Sequence, residues 1–295
     1  MKRVVLIVNP FASRVTDEAM AGVEHALMRS AYVRTVQTEH PRHAVELARE
    51  AGEADALVVF SGDGGFNEAL NGVERNDLPL GFVPGGGTSV LPRALGLPRD
   101  PVEAAERISD ALAHERTRRI STGRVNDRRF AFSAGVGVDA EAVRRVDERG
   151  RDPDGRRPGD FAFVGTLARL ILERRGRFDP VLEVQGYGRA ALVLVSNVRP
   201  YTFLKALAIQ AAPDAVFEKG LDFLAPVSVT PRTLPPLLLA LATGRPARNA
   251  LRGHNLDHLE VRCDQPLPLQ ADGEDLGDVE HASFEAERDA LTVLA

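Results

Sequence analysis

Up to Ser121 the chain alternates between short continuous apolar runs and stretches whose apolar residues recur at helical spacing. Val4-Val5-Leu6-Ile7-Val8, Ala54 to Phe60 and Leu78 to Val83 read as strands buried on both faces, with Tyr32 to Thr38 a weaker fourth. Between them lie three helical sets: Met20, Val23, Leu27 and Met28; then Val45, Leu47 and Ala48; then Phe66, Leu70 and Val73. Strands alternating with helices predict βαβ units and a parallel sheet. Asp100 as N-cap and Pro101 at the first helical position predict one more helix, to His114.

After that the pattern changes. Arg119 to Val125, Arg129 to Ser133, Val181 to Gln185, Ala190 to Val195 and Leu259 to Arg262 are short strand-like runs bounded by Gly, Asn, Asp and Pro. The expected fold class is therefore α/β plus β. An N-terminal parallel-sheet domain covers residues 1–121, and a second, β-rich antiparallel, sandwich-like domain covers 122–283. Residues 284–295 are left open: Ala290 to Leu294 could return to either sheet, the first domain's included. Arg144 to Asp160, with six arginines and five acids, reads as a solvated loop.

Composition narrows the function classes. Of 295 residues 44% are hydrophobic, enough for a sizeable core, and a net charge of −5 gives no basic field for nucleic acid. A single cysteine, Cys263, excludes an intrachain disulfide and a cysteine zinc cluster, and fits a reducing cytoplasm. No apolar run approaches the ~20 residues of a spanning helix. The best candidate, Leu234 to Ala242, contains Pro235 and Pro236, and Val4 to Val8 is too short for a signal peptide. No glycine-rich segment carries a lysine, which removes the Walker A route to phosphate.

Three turns carry the candidate chemistry. Ser61-Gly62-Asp63-Gly64-Gly65 joins a buried strand to an amphipathic helix, the geometry in which backbone N–H groups and the helix dipole face an anion. Asp63 inside such a turn would repel bare phosphate, which points to a divalent cation between them. Pro84-Gly85-Gly86-Gly87-Thr88-Ser89 follows the next strand, and Asn9-Pro10-Phe11-Ala12-Ser13 follows the first. Turns at the carboxyl ends of neighbouring strands form one crevice, and nucleotide phosphates are its expected occupant. His40 and His43 read as helix-start residues and His254 and His258 as turn residues rather than metal ligands. Phe203, Leu204, Leu207 and Ile209, with Leu234 to Leu241, are candidates for an acyl pocket, and core is the commoner fate of such residues.

The ordered set of segments resembles the catalytic domain of the diacylglycerol kinase family, which includes bacterial lipid kinases and sphingosine kinases. The family pattern is Asn-Pro, then Gly-Gly-Asp-Gly-Thr-x-Asn-Glu, then Pro-x-Gly-Thr-x-Asn-x-x-Ala-Arg, and finally Asp-Gly-Glu. Here these are Asn9-Pro10, Ser61 to Glu68, Pro84 to Arg93 and Asp272-Gly273-Glu274. Ala134 to Asp139, and Pro213 with Gly220-Leu221-Asp222, also resemble family segments. Ser61 departs from the first glycine, Gly65 and Gly87 from threonines, Ser89 from asparagine and Pro92 from alanine. Those at Gly65, Gly87 and Ser89 remove or shorten a side chain able to hydrogen-bond, while backbone donors remain.

The resemblance implies an ATP- and Mg²⁺-dependent kinase acting on a hydroxyl of diacylglycerol or a related long-chain lipid. It implies Asn9, Thr38, Gly62, Asp63, Gly64, Gly65, Asn67, Glu68, Gly85, Gly86, Gly87 and Thr88 as nucleotide-binding residues, with Asp63 also at the metal. It implies Asp272 as general base, at a rim facing the phosphate, with Glu274 beside it. A cytoplasmic protein touching the inner membrane face transiently is expected, with no nucleic-acid partner and with homodimerisation left open. Two alternatives remain: a non-catalytic nucleotide- or lipid-binding protein of this fold, and a soluble-substrate kinase of the NAD kinase type.

Overall fold

The computed structural model describes residues 1–150, 160–204 and 207–294. The chain divides into two compact units, residues 1–121 with 289–295 and residues 122–288.

In the first unit the elements follow the predicted alternation: β1 (Lys2–Val8), α1 (Asp17–Met28), β2 (Ala31–Gln37), α2 (His43–Glu50), β3 (Ala56–Ser61), α3 (Asp63–Gly72), β4 (Pro79–Pro84), α4 (Val90–Ala94) and α5 (Pro101–Ala113). Pairing is parallel throughout, in the order β2-β1-β3-β4. Thr292 and Val293, near the chain's end, extend the sheet beside β4, also in parallel. β3 is buried along its whole length, which is why its sequence is an unbroken apolar run. Asp100 caps α5 by accepting from the Val102 and Glu103 N–H groups, and Pro101 opens the helix where no donor is needed. The strand order has a consequence for ligands. The chain moves to one side of β1 to place β2 and to the other to place β3, so the topological switch point lies between β1 and β3.

The second unit is antiparallel. Its strands are the end of β5 (Thr117–Val125), then β6 (Arg128–Phe130), β7 (Ser133–Val136), β8 (Leu182–Val184), β9 (Gly188–Ala190), β10 (Val193–Ser196), β11 (Thr202–Leu204), β12 (Leu207–Ile209), β13 (Leu221–Pro226), β14 (Ala250–Leu256), β15 (His258–Ala271) and most of β16 (Glu274–Leu294). The principal order is β14-β13-β10-β7-β15-β16. Irregular register between Arg262 and Leu267 lets β15 serve two neighbours, β8 near Val261 and β7 near Leu269. The strands so arranged enclose one core that includes Phe130, Val136, Val195, Phe223, Val261 and Phe284.

Three helices accompany this sheet: α6 (Val138–Asp147), α7 (Asp160–Glu173) and α8 (Leu234–Thr243). The expectation of a solvated loop from Arg144 is corrected in part. Arg144 and Arg145 are in the last turn of α6, where Arg144 pairs with Asp275 and Asp278 and Arg145 with Glu141 and Glu173. Residues 151–159 lie outside the described residues. The two prolines of Leu234 to Ala242 sit in the first turn of α8, where a missing N–H costs nothing. No helix among the described residues is long and apolar enough to cross a membrane.

Candidate functional site

The three turns of the first unit meet at the carboxyl ends of β1, β3 and β4. The Asn9 N–H donates to the Phe60 carbonyl (3.0 Å), the Gly85 N–H to the Ser61 carbonyl (2.7 Å) and the Arg14 N–H to the Gly85 carbonyl (2.9 Å). Asn9 folds its own turn by accepting from the Phe11 N–H (3.0 Å). Thr38, buried, lies just past β2 and donates its N–H to the Val8 carbonyl.

Space explains the glycines better than a ligand does at two of three positions. A side chain at Gly85 would meet the Ser61 carbonyl and Val15 at 3.0 Å, and one at Gly86 would meet the Gly62 Cα at 3.0 Å. Those glycines let one turn lie against the other. Gly87 is different: nothing lies within 4 Å of where its side chain would start, and the residue is exposed. Of the three, Gly87 faces open space.

The carboxylates also have partners that the motifs do not reveal. Asp63 accepts from the Val90 N–H (3.0 Å) and the Leu91 N–H (3.3 Å), so it caps α4, and Pro92 follows with no N–H to satisfy. A carboxylate has about four lone-pair positions, so this capping is compatible with coordination of a cation. Glu68 accepts from the Arg42 and Ala44 N–H groups and thereby caps α2. Asn67 is buried and accepts from the Asn71 side chain. Glu68 and Asn67, expected at a nucleotide, thus also hold positions inside the fold.

What remains for an anion is the start of α3. Its N-cap is Gly62, which offers no side-chain acceptor, and Gly64 and Gly65 are half-buried in its first turn. The first-turn donors of a ten-residue helix at the β1/β3 switch point, with flat glycine surface around them, fit a phosphate group. The α4 start does not: Asp63 already takes its first two donors.

Ser61 and Gly65, two departures from the family pattern, explain each other. A Cβ at position 65 would sit 2.1 Å from the Ser61 Oγ and 2.8 Å from its Cβ, so the serine fills the volume a threonine at 65 would need. Ser61 is 1% exposed and its hydroxyl has no hydrogen-bond partner in the protein. Gly65→Thr alone is expected to lower the melting temperature, and Ser61→Gly added to it to restore most of the loss. A double-mutant cycle by thermal denaturation measures this; additive effects would contradict the coupling.

In the second unit Asp272-Gly273 forms the two-residue turn between β15 and β16, with φ of +50° and +79°. The expectation of an Asp272 carboxylate at an open rim is corrected. Asp272 is 3% exposed and accepts three backbone N–H bonds, from Ala131 (2.6 Å), Phe132 (2.9 Å) and Ser133 (3.1 Å). Glu274 does not point at Asp272; it pairs with Arg128 at 2.9 Å. Sequence reasoning missed Gln270, whose side-chain oxygen accepts from the Gly273 N–H while its amide donates to Asp139 and Tyr201. Desolvation raises the Asp139 carboxyl above its ordinary range, against the Tyr201 and Gln270 hydrogen bonds that pull it down. Gln270 gave no signal because it sits in a strand-like run, Leu267 to Ala271, just outside the Asp272-Gly273-Glu274 motif.

His40, His43 and Glu46 bring ligand-type atoms within 4.8 Å of one another, an acidic partner the spacing argument had not found. The His43 Nδ1 already accepts from the Glu39 N–H at 3.0 Å, which occupies a lone pair a metal would need. A cavity of about 820 Å³ lies at the other, amino-terminal end of the sheet, lined by Lys2, Arg3, Asp55 and Arg75, away from all three turns.

A family model described as the diacylglycerol kinase catalytic domain matches residues 3–125. Over that stretch the chain resembles the diacylglycerol kinase catalytic domain. This stretch of the family domain contains all three turns. The chain is 34% identical over 144 residues to a diacylglycerol kinase of Bacillus subtilis, covering 46% of each chain. It is 29% identical over 179 residues to a diacylglycerol kinase of Mycobacterium tuberculosis, covering 57% of this chain and 56% of that one. The matches span about half the length of these curated relatives. A crystal structure of a diacylglycerol kinase from Bacillus anthracis shares the fold, with a TM-score of 0.72 at 18% identity over 99% of this chain and 96% of that one.

Proposed function

We propose that this protein transfers the γ-phosphoryl group of ATP to a hydroxyl of diacylglycerol or a related long-chain lipid. The observation that carries the reading is the α3 start: glycine-lined, without a side-chain cap and set at the β1/β3 switch point. The backbones of Gly62, Gly64, Gly65 and Gly87 would hold the nucleotide phosphates, and Asp63 a hydrated Mg²⁺. When bound, Mg-ATP supplies the transferable group and the cation that offsets its charge. Phosphoryl transfer asks the protein mainly for positioning, and the turns are cross-braced for it by Asp63 and by the Gly85–Ser61 hydrogen bond. Asp272 holds the β15–β16 turn in shape. Glu274 in the same turn is paired with Arg128 and keeps 27% of its side chain exposed.

The test is γ-labelled ATP with diacylglycerol mixed micelles, long-chain bases and NAD in parallel. Label in the diacylglycerol or long-chain-base product supports the reading and identifies the acceptor. Label in NAD would replace it by a soluble-substrate kinase. Nucleotide binding without transfer to any acceptor would replace it by a binding protein.

A further inference from the structure

The α8 helix of the second unit presents an apolar surface. Nine residues of this ten-residue helix are apolar or proline, and none is charged. Leu234, Leu237 and Leu241 face inward, against Phe178, Val229, Leu194 and Leu224. Leu238 and Leu239 point outward, 47% and 60% exposed. Two further leucines stand exposed on neighbouring elements, Leu172 at the end of α7 and Leu207 on β12. The elements adjoin: Gly176, just after α7, lies against Pro231 and Leu234, and the Gln210 N–H after β12 donates to the Leu241 carbonyl at 2.7 Å.

Charge selects what such a surface would meet. From Phe223 to Leu256 the chain contains Arg232, Arg245, Arg248 and Arg252 and no acidic residue, in a protein whose net charge is −5. Arg232, Arg245 and Arg248 are exposed at the two ends of α8. Exposed leucines on a helix with exposed arginines at both ends match the boundary of an anionic bilayer, where side chains of the first kind enter the acyl region and those of the second meet lipid phosphates. An apolar protein partner would explain the leucines but not the one-sided charge.

We propose that α8 is the element through which this protein docks on anionic lipid membranes. The proposal rests on the lipid-kinase reading only for why a bilayer should be the partner. Its test needs no nucleotide, so the two can fail separately. Purified protein is sedimented with vesicles of phosphatidylcholine containing phosphatidylglycerol, and with phosphatidylcholine alone. The parent is expected to bind the anionic vesicles more tightly, with binding that weakens as salt rises. Leu238→Glu with Leu239→Glu is expected to weaken it at least tenfold, and Arg245→Glu with Arg248→Glu by roughly fivefold for each charge removed. These residues are exposed, so the melting temperature should stay at the parent's value. Vesicle binding unchanged in the leucine variant would overturn the proposal. So would a parent dimer, seen by light scattering, that the same variant converts to monomer without any vesicle binding by the parent, because α8 would then be a protein interface.

Discussion

Asp272→Ala is expected to destabilise the second unit by about 3 kcal/mol or more. The change leaves the N–H groups of Ala131, Phe132 and Ser133 without their acceptor, and all three residues are buried. Each buried donor left unsatisfied costs roughly 1–3 kcal/mol. Alanine also fits poorly at a φ of +50°, where Asp and Asn are tolerated better. Asp272→Asn keeps that tolerance and one oxygen but turns an amide N–H toward a backbone donor, so its cost should fall between parent and alanine. Urea denaturation checks both. If both variants melt like the parent and lose only phosphoryl transfer, the carboxylate is a general base rather than an anchor.

The second large effect is expected at Asp63, on activity more than on stability. Asp63→Asn keeps one oxygen for the α4 donors but removes the charge inside the glycine turn. Displacement of a braced turn by as little as 1 Å can cost about 10²-fold in rate, so transfer should fall by at least that order. The dependence of nucleotide affinity on Mg²⁺ separates the two roles of this residue. If Asp63 holds the cation, the variant binds nucleotide with little regard to Mg²⁺. If Asp63 only caps α4, Mg²⁺ dependence persists at the parent's level while the melting temperature drops.

Much of the first unit was legible because its determinants are local. The apolar runs of β1, β3 and β4, the Asp100-Pro101 start of α5 and the turn glycines each announce themselves within a few residues. The strand order that makes β1/β3 the switch point needed the structure. The partners of the acids were not legible, because they lie far along the chain. Asp63 finds its donors 27 residues away, Glu68 finds one 26 residues away and Asp272 finds one 141 residues away. A carboxylate in a glycine turn looks the same in sequence whether it meets a cation or a helix end. The long strands β15 and β16 were read only in fragments, since much of each is half-buried or exposed and does not keep a strict apolar alternation. The start of Arg144 to Asp160 looked like a loop because sequence does not show that its arginines pair with Glu141, Glu173, Asp275 and Asp278.

Nucleotide phosphate held by the glycine turns that follow β3 and β4 is directly measurable in protein labelled with ¹⁵N only at glycine and titrated with Mg-ADP. Saturable shifts are expected for the amide resonances of Gly62, Gly64, Gly65 and Gly87, with Gly22, Gly186 and Gly253 unmoved. Saturable binding that leaves those four in place, or no binding at all, would contradict phosphate binding there.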